Sequence, residues 1–198
     1  MSALSTPLAA LCVRSIALVL LTTSALATKA QVSQTDGFGA LIALADARLE
    51  ISRQVALIKW DTREPVADPP GDPREQKVLD AAAAEATKMG LPIDTATAFF
   101  GDQIEASKLI QYALMAEWSR AGVVPAGGRA DLKAELRPAL DGLRPRFIEA
   151  MLATRAIRFS DACASQLARE TADYVEAHGA GPLDSIGLTR GLARVCAR

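Results

Sequence analysis

The sequence predicts an all-α fold: a single helical domain of about six helices, the long ones packed around the active site and the C-terminal ones tied by a disulfide. Three observations carry that prediction. Half of the 198 residues are apolar yet only 5% are aromatic, and Ala and Leu are abundant. No run alternates apolar and polar residues as a half-buried strand would. Instead, apolar residues recur at helical spacing, most clearly in Leu41–Trp60. The formal net charge is −1 with acids and bases interspersed, and nothing in it points to nucleic acid or a membrane surface.

Residues 1–30 read as an export signal. Arg14 supplies the positive charge, Ile16–Leu21 the apolar core and Ala25-Leu26-Ala27 an A-x-A cleavage site, with a second cut near residue 30. The apolar run is too short and too interrupted to span a bilayer as an uncleaved anchor. About 170 residues remain, enough for one domain with a core. They divide into a helical core, 31–125, and a C-terminal helical part of the same domain, 126–198.

The first helix follows Thr35-Asp36-Gly37 and runs to about Lys59. Leu41, Leu44, Ala45, Ile51, Val55, Ala56 and Ile58 take one face, and Asp46, Glu50, Arg53 and Gln54 the other. Arg48 and Lys59 break the pattern by lying within the apolar face. Eleven residues is almost three turns, so both cations point the same way, roughly 16 Å apart along the axis. A buried, unpaired cation costs several kcal/mol, so each calls for an anionic partner, from the protein or from a ligand.

Five prolines and glycines between Asp61 and Pro73 make a loop. Pro73 then suits the start of a second helix, REQKVLDAAAAEATKM, which Gly90 closes. Arg74 sits at the edge of its apolar arc and Glu75 inside it. Asp94 is the expected N-cap of a long third helix reaching Gly122. On that helix Phe100, Ile104, Ile110, Leu114, Met115 and Trp118 share a face, with Asp102, Glu105 and Lys108 opposite. Gln103, Ser107 and Gln111 interrupt the apolar stripe. Ser107 and Gln111, one turn apart, either reach the same object or form a core hydrogen-bond network.

After a Gly/Pro linker, Arg137-Pro138 opens a fourth helical stretch, 138–157, bent near Pro145. The proline biases Arg137 away from helical geometry. Two shorter helices follow, Cys163–Ala177 and Leu183–Ala197. Export leaves the mature chain two cysteines, Cys163 and Cys196, and an even pair in an oxidising compartment reads as a disulfide. Closing that loop stabilises by roughly 3–4 kcal/mol through chain entropy. His178 is the single histidine, so no metal site is legible.

Arg48, Lys59 and Arg74, joined by Ser107, Gln111, Glu75 and Arg137, make a set rich in cations and hydrogen-bond donors. It lacks a nucleophile with a base, since Ser107 has no histidine partner. Such a set suits a small polyanion such as a dicarboxylate gripped by Arg forks.

Five pieces of the chain go further: ARLEISRQVALIKW (47–60), PREQKVL (73–79), FFGDQIEASKLIQYAL (99–114), RPALDGLRPRF (137–147) and the late cysteine pair. With them the chain resembles the exported, monofunctional, all-helical chorismate mutases, the secreted subclass of the AroQ type. The spacings R-x10-K-W and D-Q-I-x-A-[ST]-x3-[QE]-Y are the specific ones. The resemblance implies that Arg48, Arg74 and Arg137 pair with the two carboxylates of chorismate. It implies Lys59 and Gln111 as catalytic donors to the ether oxygen, and Ser107 as support for a carboxylate. Glu75 and Asp72 fall to the ring-hydroxyl region, although the acid that the family carries three residues before Arg74 is Gly71 here, with Asp72 one later. The implied reaction is the intramolecular Claisen rearrangement to prephenate, with no cofactor and no metal. An isochorismate-pyruvate lyase on the same scaffold and a non-catalytic secreted helical interaction module are the alternatives. Chorismate is the expected partner, with no nucleic acid, no membrane once the signal is removed, a homodimer from the family, and a periplasmic or secreted location.

Overall fold

The structure, a computed structural model, describes residues 37–196, all within one compact unit, Gln34–Arg198. The expected export signal lies outside the described residues. Among these, seven α-helices and one π-helical turn occur and no strand: α1 (Gly39–Thr62), α2 (Arg74–Met89), α3 (Ile93–Ala121), the π turn (Leu132–Leu136), α4 (Arg137–Ala153), α5 (Arg155–Arg158), α6 (Cys163–Ala177) and α7 (Pro182–Gly191). No helix among them is long and apolar enough to cross a membrane.

α1 lies at the centre, packed against α3, α4, α6 and α7. Its burial is not confined to the expected face: Ile42, Leu49 and Ser52 are buried as well. The polar side is also engaged. Asp46 accepts a hydrogen bond from Tyr174 of α6 at 3.0 Å, and Arg53 pairs with Asp184 of α7. α1 is thus held by tertiary packing around most of its girth, with Ala43, Ala47 and Glu50 left exposed. Phe99, Phe100 and Phe147 meet edge to face, with centroids 5.2–5.9 Å apart, and join α3 to α4.

Several elements differ from expectation for identifiable reasons. Pro92, in extended geometry, is the N-cap of α3, and Asp94 falls inside the first turn. There its charge still favours the helix N-terminus. Arg137 is helical at φ −66°, ψ −47°, despite the following proline. A proline ring clashes with the carbonyl four residues back. The π turn widens the chain at that point, with Arg137 N–H donating to the Leu132 carbonyl. The turn itself is capped by Asp131, which accepts from the Lys133 and Ala134 N–H groups at 2.7 Å each. α4 runs through Pro145 and stops at Ala153, so the expected stretch to 157 is split into α4 and the short α5. α7 ends at Gly191, and the remaining residues to Cys196 form turns.

Asp102 is a correction of another kind. Expected on the solvent face of α3, it is 2% exposed. Arg194 grips it bidentately at 2.7 and 2.8 Å, and Arg190 of α7 also donates to it. Burial alone would raise the Asp102 carboxyl. The hydrogen bonds from Arg194 and Arg190 outweigh that and hold it below the ordinary aspartate value. α7 comes this close because Gly187 and Gly191 face α1 and α3. A Cβ on Gly187 would stand 2.8 Å from Leu49 Cδ1, and one on Gly191 would stand 2.9 Å from Gln103 Nε2.

The two cysteines form the expected disulfide, Cys163–Cys196, with Cα atoms 5.7 Å apart. It joins the first residue of α6 to the segment after α7.

Candidate functional site

A cavity of about 720 Å³ opens between α1, the loop 63–73, α2, α3 and the start of α4. Each element contributes side chains for a local reason. α1 brings Arg48 and Lys59 three turns apart on one face, as their spacing requires. The proline-rich loop returns along the end of α1 and supplies Val66, Asp68 and Asp72. α2 presents Arg74 and Glu75 from its first turn, and α3 presents Ser107 and Gln111 one turn apart. Arg137 enters from the junction of the π turn and α4. All eight residues singled out from the sequence for substrate binding therefore line one cavity.

Arg48 is 8% exposed, and no carboxylate among the described residues pairs with it; its Nε has no partner. Burial, and then the charge of Arg144, lower its pKa to about 10. Among the described residues the anionic partner demanded by its burial is absent.

Lys59, 6% exposed, donates from Nζ to the Val66 carbonyl at 2.7 Å. An ammonium has three donors, so two remain for another acceptor. Burial is the main cause that lowers its pKa, and Arg74 adds to it against the opposing charges of Asp68, Glu64 and Glu75. The expected anionic contact is thus replaced by a carbonyl dipole with acids farther off.

Arg74 is already engaged. Its guanidinium meets Asp68 at 3.0 Å and Asp72 at 3.4 Å, and Asp72 also accepts from the Arg74 backbone N–H at 2.9 Å. Glu75 pairs with Lys108 at 3.2 Å, and Lys108 also meets Glu105 at 2.6 Å. Lys108 therefore faces the cavity rim, not the open solvent side expected of it.

On α3 the Gln111 amide donates from Nε2 to Ser107 Oγ at 3.1 Å and to the Ser107 carbonyl at 3.2 Å. Its Oε1 is buried without a partner. Ser107 Oγ lies 2.8 Å from Ser52 Oγ of α1, and Ser52 donates to the Arg48 carbonyl at 2.9 Å. The two readings of the Ser107–Gln111 pair thus coexist: it is a hydrogen-bonded network, and it lines the cavity.

Sequence reasoning missed Arg144, Asp141, Lys77 and Lys108 in the lining. Arg144 sits seven residues, about two turns, after Arg137, a spacing that puts both on one side of a helix. Pro138 and Pro145 hid that regularity. Among the described residues no group of three or more His, Cys, Asp or Glu side chains converges as a metal site.

The arrangement holds buried cations with unused donor capacity, an amide beside them, and no nucleophile–base pair. It can bind a compact dianion and stabilise charge that develops on one of its oxygens. The family described as chorismate mutase type II matches residues 39–112. A secreted chorismate mutase of Mycobacterium tuberculosis is 28% identical over 168 residues, covering 83% of this chain and 82% of that protein. The solved chorismate mutase of Burkholderia phymatum is 35% identical with a TM-score of 0.79, over 83% of this chain and 99% of its own. That of Burkholderia thailandensis is 37% identical with a TM-score of 0.75, over 80% and 98%.

Proposed function

Because the chain belongs to the chorismate mutase family, we propose that its cavity converts chorismate to prephenate, with Lys59 and Gln111 as the catalytic donors. The observation that carries this reading is Arg48, a buried guanidinium with no carboxylate of its own, in one cavity with Lys59. Such a cation is destabilising until an anion is brought to it.

In the reaction the ether C–O bond breaks as the new C–C bond forms, within one molecule. No proton has to move. The protein must hold the compact conformer that brings the two carbons together, and Arg48 and Arg137 serve this by fixing the carboxylates. Arg74 is shared with Asp68 and Asp72, so its pull on a carboxylate is weaker than that of Arg48. Ser107 supports the carboxylate end, and Glu75 and Asp72 border the ring-hydroxyl region. Negative charge grows on the ether oxygen, where the two spare Lys59 N–H groups and the Gln111 amide lower the barrier. We also infer export, to the periplasm or beyond, by way of the segment 1–30, and a homodimer as the family's usual state.

Purified protein incubated with chorismate is expected to produce prephenate. Lys59→Ala should fold and lose about 10²–10³-fold in kcat; full activity in that variant would overturn the assignment. The same preparation offered isochorismate and assayed for pyruvate separates the mutase from a lyase.

A further inference from the structure

Ser52 lies within ARLEISRQVALIKW, where the family resemblance gives it no role, yet it sits between two residues of the cavity. It is 2% exposed, so water does not serve its hydroxyl. Two oxygens do: the Arg48 carbonyl at 2.9 Å and Ser107 Oγ at 2.8 Å. One proton cannot serve both at once, and the choice has consequences down the line.

If Ser52 gives its proton to the Arg48 carbonyl, its oxygen accepts from Ser107. The Ser107 proton is then spent, and Gln111 must donate to Ser107 through Nε2, as the distance of 3.1 Å shows. The other end of the amide, Oε1, is then left over, buried and without a partner. An acceptor there repels an oxygen that is gaining negative charge. If Ser52 instead donates to Ser107, the Ser107 proton is free to bond the Gln111 carbonyl oxygen. A half-turn of the amide about its last bond then leaves the NH₂ group for the cavity. The half-turn gives up the bond from Nε2 to the Ser107 carbonyl at 3.2 Å and leaves the two amide N–H groups without an acceptor until a ligand supplies one, so it belongs to the occupied site alone.

We propose that Ser52 is a positioning residue for the reaction: through Ser107 it sets which end of the Gln111 amide faces the substrate. This rests on the proposed role of Gln111 at the ether oxygen. The occupied site selects the second setting, because only there does Gln111 act as a donor. Hydrogen bonds in such a chain strengthen one another, so the Ser52 proton reinforces the hold of Ser107 on the amide oxygen.

The test has two arms. Gln111→Glu puts a carboxyl at the end of the chain, and its titration is read by ¹³C NMR without substrate. Adding Ser52→Ala removes the donor behind Ser107, weakens the hydrogen bond to the carboxylate, and should raise the midpoint by roughly 0.3–0.5 pH units. Ser52→Ala alone, in otherwise unaltered protein, should lower kcat for chorismate about three- to tenfold, with KM changed less than twofold. An unmoved NMR midpoint refutes the chain from Ser52 to position 111, whatever the activity. A moved midpoint with unchanged kcat refutes its use in the reaction. Absence of prephenate from the unaltered protein refutes the reading of the site itself, which the NMR arm does not depend on.

Discussion

At Gln111 the proposed donor to the reacting oxygen is an amide, which does not titrate. A glutamate in its place donates only while protonated. Unaltered protein should therefore keep its rate between mildly acidic and neutral pH, and Gln111→Glu should move the optimum towards acid. An unchanged pH–rate profile in that variant would remove Gln111 from the catalytic pair. Lys59 sets the other limb. Its pKa is lowered, chiefly by burial, so the protonated form that donates is lost at a lower pH than for an ordinary lysine near 10.4. The same lowering means that folding with Lys59 protonated is costly below its folded pKa, and stability on its account rises with pH up to the unfolded value. A bound dianion offsets that cost. Arg48 and Lys59 were legible in the sequence because a cation inside an apolar helical stripe contradicts its neighbours. Ser52 was not, because a serine fits either face of a helix and announces nothing. The pairing of Arg74 with two acids was also hidden, since it depends on the path of the loop.

At the level of elements, α7 is joined to α3 by two glycines and by Asp102 with its two arginines. Asp102→Asn leaves two guanidinium groups without their anion and should cost about 2–3 kcal/mol. For a domain of this size that lowers Tm by roughly 5–10 °C, readable by calorimetry. The pH dependence has a definite sign. A carboxyl with a depressed folded pKa stabilises fully above its unfolded value near 3.9 and loses that contribution as pH falls through the folded value. The unaltered protein should therefore lose Tm over that range more steeply than Asp102→Asn; equal slopes would show that the pair contributes nothing. The sequence pattern placed Asp102 towards solvent because it was judged on α3 alone. What covers that face is α7 with the arginines 88 and 92 positions further along the chain, and such packing is carried by side-chain shape between distant segments, not by local periodicity. The long helices α1, α2 and α3 were legible for the opposite reason. Their stripes, the Gly90 terminus and the proline-rich loop are local signals. The break at Thr154 between α4 and α5 carries no such signal.

On the scale of the whole molecule, the disulfide and the cavity are separate features. Cys163 and Cys196 bind α6 to the segment after α7, and neither lines the cavity. Reduction should lower stability by about 3–4 kcal/mol, or roughly 10 °C in Tm. At 25 °C the reduced protein should keep its kcat within about twofold, provided circular dichroism shows it folded. A folded but inactive reduced form would show that the C-terminal helices shape the site. The all-helical class and the pairing of the cysteines followed from composition and cysteine count. The expected count of about six helices stands beside seven α-helices among the described residues, the additional one being the four-residue α5, which leaves no periodic trace.

Lys59 is tethered to the carbonyl of Val66, a backbone atom and not a side chain. Replacing Val66 by another residue leaves that oxygen where it is, so the tether tolerates point mutation at its own acceptor. Changing the number of residues between 59 and 66 does not. One residue added or removed shifts a different carbonyl, or none, under the ammonium. The tether therefore constrains the segment's length more than its composition, and insertions there should disturb Lys59 more than substitutions do.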